Sequence, residues 1–353
     1  MSVKLSELQK ELIARSEAYV SPRDVERTLK ALRSTTDVWR VVELSQVPMR
    51  VLCTLLELLK ERGIISFSEG SVSLTEFGKQ LCDENAITPF VSAGCKHCLG
   101  RGIDIAFLGE EVVSNFKSIS ASRPEAVQEF DQGFVTEETT LARVAFMLQR
   151  GDLDGKEIAV IGDDDLVSVA CALTGKPKRV VALDIDERLI GFIDDVRKKF
   201  NLHCLSVVQH DLREPLPEEL LKAFDVFFTD PTESFTGFKV FVERGLQCLK
   251  GAGCSGYFGL THVESSLGKW RKIQQFILEC GGVITDVVEA FNHYVNWPYI
   301  EGMRSWQWLP VKVHPKGVWY KSALFRFEWL EPIEIPMVRY EGNIFEDEEA
   351  ATT

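Results

Sequence analysis

From about residue 155 the chain alternates short β-branched apolar runs with segments whose apolar residues recur every three or four positions. The runs "EIAVIG", "RVVALDI", "LSVVQHD", "FDVFFTD" and "CSGYFGL" predict strands. Between them, "LVSVACALTG", "ERLIGFIDDVRKKF", "FKVFVERGLQCLK" and "LGKWRKIQQFILECG" predict helices. Apolar strands separated by helices imply a parallel sheet covered on both faces, a doubly wound α/β architecture. Two later runs, "VITDVVEAF" and "KSALFRFEWL", predict antiparallel strands completing one edge, joined by a Trp- and Pro-rich ordered loop.

Residues 1 to about 90 have a different rhythm. "SPRDVERTLKALRS", "TDVWRVVELSQ" and "VPMRVLCTLLELLKERGII" read as helices, the first with Ser21 as N-cap and Pro22 at its first position. "ISFSEGSVSLTEFGKQL" reads as two short strands around Glu69–Gly70 and a further helix. Three helices and a two-stranded wing form a winged-helix-like α+β unit. The expected division is 1–92 for this unit, 93–150 for a connecting helical segment, 151–340 for the sheet domain and 341–353 for a flexible acidic tail. That tail, "EGNIFEDEEAATT", holds five acids and no base, which predicts disorder or, beside a cationic ligand, a lid.

Charge narrows the partners. The net charge of −13 opposes general nucleic-acid binding and favours a polycationic ligand. Residues 1–90 carry 12 Lys and Arg against 13 Asp and Glu, without the basic stripe of a DNA reader, so this unit is expected to serve packing or dimerisation. No run of 18 apolar residues predicts a membrane span, and the N-terminus lacks the pattern of a secretory signal. Nine cysteines, most of them scattered in apolar runs, suit a reducing cytoplasm. Cys95 and Cys98 in "CKHCLGRG" have metal-ligand spacing, but they supply two of the four ligands that structural zinc takes. The expectation is no metal and a turn of two free thiols, although two subunits could pool their pairs.

The chemistry gathers at the carboxyl ends of the strands, where doubly wound sheets bind ligands. Asp163, Asp164 and Asp165 follow the first strand, Asp184 ends the second, and Asp211 follows the third. Asp230 follows the fourth, with Glu233 three residues on. One such Asp is an ordinary helix cap. Carboxylates after four consecutive strands repel one another unless a cation separates them. Asp184 has the spacing of a ribose-binding acid, and Asp211 could accept from an adenine amino group. A methionine-like carboxylate would be repelled here, so the nucleoside is expected to end in an amine and its co-substrate to be an amine.

These residues carry a resemblance. "FDQGFVTEETTLARVAFM", "GDDDL", "ALDIDERLI", "DPTESFTGF" and "YFGLTHVESSLGKW" together resemble the branched-chain polyamine synthases, the N4-bis(aminopropyl)spermidine synthases among the aminopropyltransferases. The resemblance implies a methyltransferase-like (Rossmann-like) sheet behind a winged-helix-like domain. It also implies transfer of aminopropyl groups from decarboxylated S-adenosylmethionine, a co-substrate, to N4 of spermidine. The products would be N4-aminopropylspermidine, N4-bis(aminopropyl)spermidine and methylthioadenosine, with no prosthetic group. By analogy Asp165 would hold the aminopropyl ammonium, Asp163 and Asp164 would place N4, and Asp230 would match the acid–base residue of the linear enzymes. Either Asp164 or Asp230 could then be the base. Gln132 and Phe235 are expected to line the pocket, and a homodimer is expected.

Two rivals remain at this level. An S-adenosylmethionine-dependent amino-group methyltransferase would use "DPTESF" as an Asp-Pro-Pro-aromatic grip, against which stand the missing second proline and the acidic triad. A polyamine-sensing winged-helix regulator would need the basic face that the N-terminal unit lacks.

Overall fold

The computed structural model describes residues 4–353. Helices α1 (Leu5–Arg15), α2 (Asp24–Leu32), α3 (Val38–Ser45) and α4 (Met49–Glu61) precede the hairpin β1 (Ile65–Ser68) and β2 (Ser71–Leu74), and α5 (Glu76–Glu84) follows. The expected cap of α2 is reversed. Ser21 does not cap it; the Asp24 carboxylate accepts from the Ser21 backbone N–H at 2.7 Å instead. α3 and α5 start conventionally, with Asp37 and Thr75 accepting from the free N–H groups of their first turns.

Val51, Leu52, Leu55, Leu56, Leu58 and Leu59 of α4 are buried and face α1, α2 and the hairpin. Their core is completed from far along the chain by Trp297, Met303, Leu309, Trp319 and Tyr320. The Trp39 indole N–H donates to the Val313 carbonyl at 2.6 Å. The long Trp-rich loop is therefore ordered because it forms one wall of the N-terminal core.

Helices α6 (Glu110–Ser120) and α7 (Glu137–Gln149) lead into the sheet domain. Its elements run β3 (Glu157–Ile161), α8 (Val167–Leu173), β4 (Arg179–Asp184), α9 (Glu187–Lys199), β5 (Leu205–Gln209), β6 (Val226–Thr229), α10 (Phe235–Cys248) and β7 (Ser255–Leu260). Then come α11 (Leu267–Glu279), β8 (Gly282–His293), α12 (Arg304–Trp308) and β9 (Lys321–Trp329). Seven strands form one sheet in the order β5-β4-β3-β6-β7-β9-β8. The first five are parallel, and β9 pairs antiparallel with both β7 and β8. The doubly wound sheet with an antiparallel edge is the architecture expected from the hydrophobic pattern. Residues of β3, β4, β6 and β7 are almost all buried because helices cover both faces.

The chain winds outward from β3 to β4 and β5, then returns to β6 on the other side of β3. Such a switch point opens a crevice at the carboxyl ends of the central strands.

The acidic tail departs from the disorder expected of it. Ile344, Glu349, Ala350, Ala351 and Thr352 are buried. Its acids find cations and donors that composition does not reveal. Lys269 of α11, itself buried, meets Asp347 at 2.8 Å, and Glu349 accepts from the Ser266 N–H at 2.6 Å and its hydroxyl at 2.7 Å. Glu264 accepts from the Ala351 and Thr352 N–H groups at 2.6 and 3.2 Å.

Candidate active site

The crevice at the switch point is a cavity whose lining includes Gln132, Asp164, Asp184, Asp211, Asp230 and Glu233, six of the residues singled out from sequence. Asp163 and Asp165 do not line it. Consecutive residues of a tight turn point in different directions, and the acidic triad divides accordingly. Gly162 takes φ +72 to start the turn, and Leu166 takes φ +57 to end it.

Asp163 points back under α8. Both its oxygens accept from the Ser168 N–H at 3.3 Å, and one also accepts from the Ser168 hydroxyl. Burial pushes its carboxyl up to about 8, so it is protonated at neutral pH. Asp165 points under α7, where it accepts from the Val135 N–H at 2.7 Å and pairs with the Arg143 guanidinium. The expectations that Asp163 helps place N4 and that Asp165 holds the donor's ammonium therefore meet two side chains already engaged and turned away from the cavity.

Asp164 faces inward. One oxygen accepts from the Gly133 N–H at 3.1 Å, while Arg123 donates to its backbone carbonyl at 3.2 Å. The loop carrying Gly133 is pinned from behind, because the Gln132 carbonyl accepts from Trp297 Nε1 at 3.1 Å and the Tyr299 hydroxyl at 2.5 Å. A Cβ on Gly133 would lie 2.4 Å from the Trp297 ring, so the residue must be glycine for the loop to approach. Burial, and then the charges of Asp165, Asp184 and Asp230, hold the Asp164 carboxyl well above the usual range.

Asp230 sits opposite under different control. Its Oδ2 accepts from the Tyr294 hydroxyl at 2.7 Å and from Arg143. Arg143 is fully buried on α7, is braced by Asn292 at 2.9 Å, and bridges Asp165 and Asp230. It thus pairs with two of the predicted carboxylates. Burial still outweighs the guanidinium and pushes Asp230 up to about 6. Its Oδ1 lies against Gly259, where a Cβ would be 2.0 Å away.

A second acidic group lies across the cavity. Glu233 is held well above its usual range by burial and then by Glu264, Asp230 and Asp131. Burial followed by Glu264 pushes Asp131 up to about 8. Thr352 of the tail lies between them, donating to Glu264 at 2.9 Å with Asp131 at 3.2 Å. Asp131, Glu264, Arg143 and Tyr294 were not singled out from sequence. Asp131 directly precedes Gln132 in "FDQGF" and was the available signal; Arg143 lay unmarked within an apolar helix.

The remaining predicted residues divide as follows. Asp184 accepts from the N–H groups of Asp163 and Asp186, both at 2.9 Å, and borders the cavity beside Ile185. Asp211 is held by Arg213, with its Oδ2 2.7 Å from Nη2, so little of it is free for an adenine amine. Gln132 donates to Asp186 at 3.0 Å and accepts from the Val127 N–H at 3.1 Å, which makes it a brace for the loop as well as lining. Phe235 does not line the cavity; at the first position of α10 it packs edge-on against Phe276 of α11 at 6.4 Å. Ile185, Leu212 and Phe241 supply apolar walls, and Ile344, Phe345 and Thr352 of the tail close one side.

Comparison with known proteins gives a consistent set of relatives. The family profile described as Branched-chain polyamine synthase A C-terminal domain matches residues 111–352. The chain is 50% identical over 328 residues to the N(4)-bis(aminopropyl)spermidine synthase of Thermus thermophilus, covering 93% of each. It is 46% identical over 338 residues to the protein of that name from Thermococcus kodakarensis, covering 95% of this chain and 96% of that one. The crystal structure of the branched-chain polyamine synthase from Thermus thermophilus, in complex with N4-aminopropylspermidine and 5'-methylthioadenosine, matches with a TM-score of 0.93 at 47% identity over 98% of both chains.

Proposed function

The chain belongs to the branched-chain polyamine synthases, which are aminopropyltransferases, and we propose that it builds N4-aminopropylspermidine and then N4-bis(aminopropyl)spermidine from spermidine and decarboxylated S-adenosylmethionine. The observation that carries this reading is the crowding of carboxyl groups in the cavity. Asp131, Asp164 and Glu233 are half-buried carboxyl groups held above their usual range by desolvation and by neighbouring carboxylates, and a polyamine's ammonium groups would relieve all three.

In each transfer the N4 lone pair attacks the aminopropyl carbon bonded to the sulfonium. A C–N bond forms, the C–S bond breaks, and methylthioadenosine leaves with the electron pair. Amines are protonated near neutral pH, so N4 must lose a proton before it can attack. We assign that proton to Asp164. Asp230 already accepts from Arg143 and Tyr294 on one oxygen, whereas Asp164 has a single backbone donor and faces the cavity. A carboxylate whose pKa is raised toward the working pH is the better base. Asp230 then serves as a fixed anion beside the reacting groups. The second transfer yields a quaternary nitrogen with no proton to lose, so the base acts there only before attack. Asp184 suits the ribose hydroxyls, and Ile185, Leu212 and Phe241 suit the faces of the adenine. We further propose a cytoplasmic homodimer; among the described residues no helix is long and apolar enough to cross a membrane.

The test is a mass-resolved assay of the purified protein given spermidine with decarboxylated or intact S-adenosylmethionine. Methylthioadenosine together with spermidine heavier by one and two aminopropyl units, branched at N4 by fragmentation, is the expected result. Methylated spermidine from the intact donor would overturn the reading.

A further inference from the structure

Asp230 is fixed in part by residues that never reach the cavity. Its Oδ2 accepts from the Tyr294 hydroxyl at 2.7 Å and from Arg143 Nη2. Behind Tyr294 stands Ser322 of β9, its hydroxyl 3.1 Å away, and Nδ2 of Asn292 on β8 donates to that hydroxyl at 2.8 Å. Asn292 Oδ1 accepts from Arg143 Nε at 2.9 Å, which brings the path back to the guanidinium that also holds Asp230. The side chains of Arg143, Asn292, Ser322, Tyr294 and Asp230 thus close a ring of hydrogen bonds. Asn292 and Ser322 are fully buried and do not line the cavity, whereas Tyr294 and Asp230 do.

The strands are shaped to build this ring. Asn292 and Ser322 are register partners across β8 and β9. β8 is an edge strand whose alternation of exposed and covered residues ends at a bulge between Val288 and Asn292, where Ala290 takes φ +50. Beyond the bulge Phe291, Asn292 and His293 are all buried, so a polar amide is carried inward. Bulges beside active sites re-aim side chains in this way.

The ring also has a direction. A guanidinium N–H can only donate, so Arg143 fixes which end of the Asn292 amide is its oxygen. The amide nitrogen must then donate to Ser322. Among the described residues the Ser322 hydroxyl has no partner besides Asn292 and Tyr294, so its own proton goes to the Tyr294 oxygen. The tyrosine proton is thereby left for Asp230. Both paths out of Arg143, the direct one and the one through three side chains, end as donors on the same carboxylate oxygen. A proton on that oxygen would reverse the Tyr294 and Ser322 hydroxyls and strand the serine proton in a buried place, which is unfavourable.

We infer that Asn292 and Ser322 are positioning residues for the transfer: acting through Tyr294, they keep the tyrosine proton on Asp230 and so hold Asp230 as the anion that meets the cationic substrates. The inference rests on the reading of Asp230 as the fixed anion of aminopropyl transfer and adds the residues that set it. Other charges face Asp230 as well: Arg143 from α7, Asp164 and Asp165 from the turn after β3, and Glu233 from its own loop. These stay in place when the ring is cut at Ser322.

The test is a double-mutant cycle on the full-length protein with S322A, Y294F and S322A/Y294F. With spermidine and decarboxylated S-adenosylmethionine, S322A is expected to lower kcat about tenfold, the effect of one hydrogen bond, and to leave both KM values within about twofold. Y294F should be slower still, and S322A should slow Y294F no further, because the serine has then lost the group it acts through. In parallel, the Asp230 carboxyl is titrated by carbon-13 NMR of aspartate-labelled protein, its signal assigned with D230N. Its midpoint should rise in S322A, and S322A/Y294F should match Y294F. This arm needs no turnover, so a protein inactive on spermidine would overturn the functional reading while the ring is still tested. Equal losses from S322A in both backgrounds would make Ser322 merely structural and overturn the inference, as would an Asp230 midpoint that S322A leaves unmoved. If circular dichroism shows S322A unfolded, S322C, with its weak S–H donor, takes its place in the cycle.

Discussion

Three adjacent aspartates occupy three environments, and their chemistry differs because of what each side chain meets. Asp163 is a protonated prop for α8, Asp164 faces the cavity, and Asp165 is the partner of a buried arginine. Asp164→Asn is expected to lower kcat by about 10²–10⁴-fold, the usual contribution of a positioned general base. Because the Asp164 carboxyl is raised, the wild-type rate should fall as pH drops through its pKa, and that acidic limb should disappear in the variant. Steady-state release of methylthioadenosine across pH 5–9 measures both; an unchanged limb would return the proton to Asp230. Asp163 makes a separate prediction about stability. Its folded pKa of about 8 lies above its ordinary value, so the folded chain binds a proton that the unfolded chain releases, and this contribution is lost as pH rises from about 4 through 8. Asp163→Asn should therefore flatten the decline of Tm between pH 5 and pH 8, and equal declines in both proteins would count against it.

At the scale of elements, the strands of the sheet domain were legible in the sequence because each is a bounded apolar run. The acids at their ends were legible too, since a strand end is a fixed place in a doubly wound fold. Which acids face the ligand was not. That depends on turn geometry and on Arg143, which reaches Asp165 and Asp230 from 22 and 87 residues away in sequence. Likewise, five acids without a base read as a solvated tail until Lys269 on α11 is seen to receive Asp347 and to approach Glu349. Lys269 Nζ donates to the Glu233 and Glu264 carbonyls at 3.1 and 2.7 Å as well as meeting Asp347, so it joins the tail to the cavity wall. Lys269→Met is expected to free residues 341–353 for rapid proteolysis and to weaken spermidine binding about tenfold, or roughly 1.4 kcal/mol. Limited proteolysis and calorimetric titration would read these, and a tail equally protected in the variant would deny the lysine that role.

For the molecule as a whole, the charge of −13 agrees with a cavity that collects cations, while the nearly neutral N-terminal helices contribute chiefly through packing. Their core is not self-contained, because Trp297, Met303, Trp319 and Tyr320 fill it from the other end of the chain. Residues 1–92 produced alone should accordingly show helical circular dichroism without a cooperative thermal transition, and a sharp calorimetric peak from this fragment would contradict that expectation. The same architecture has a consequence for synthesis. Trp39 finds its acceptor at Val313, 274 residues downstream. At about 5–20 residues per second, the ribosome needs roughly a quarter of a minute to a minute to deliver it. Throughout that interval the leucine face of α4 lacks one of its walls. The part of the protein made first must wait, exposed to chaperones and to aggregation, for a loop that is made near the end.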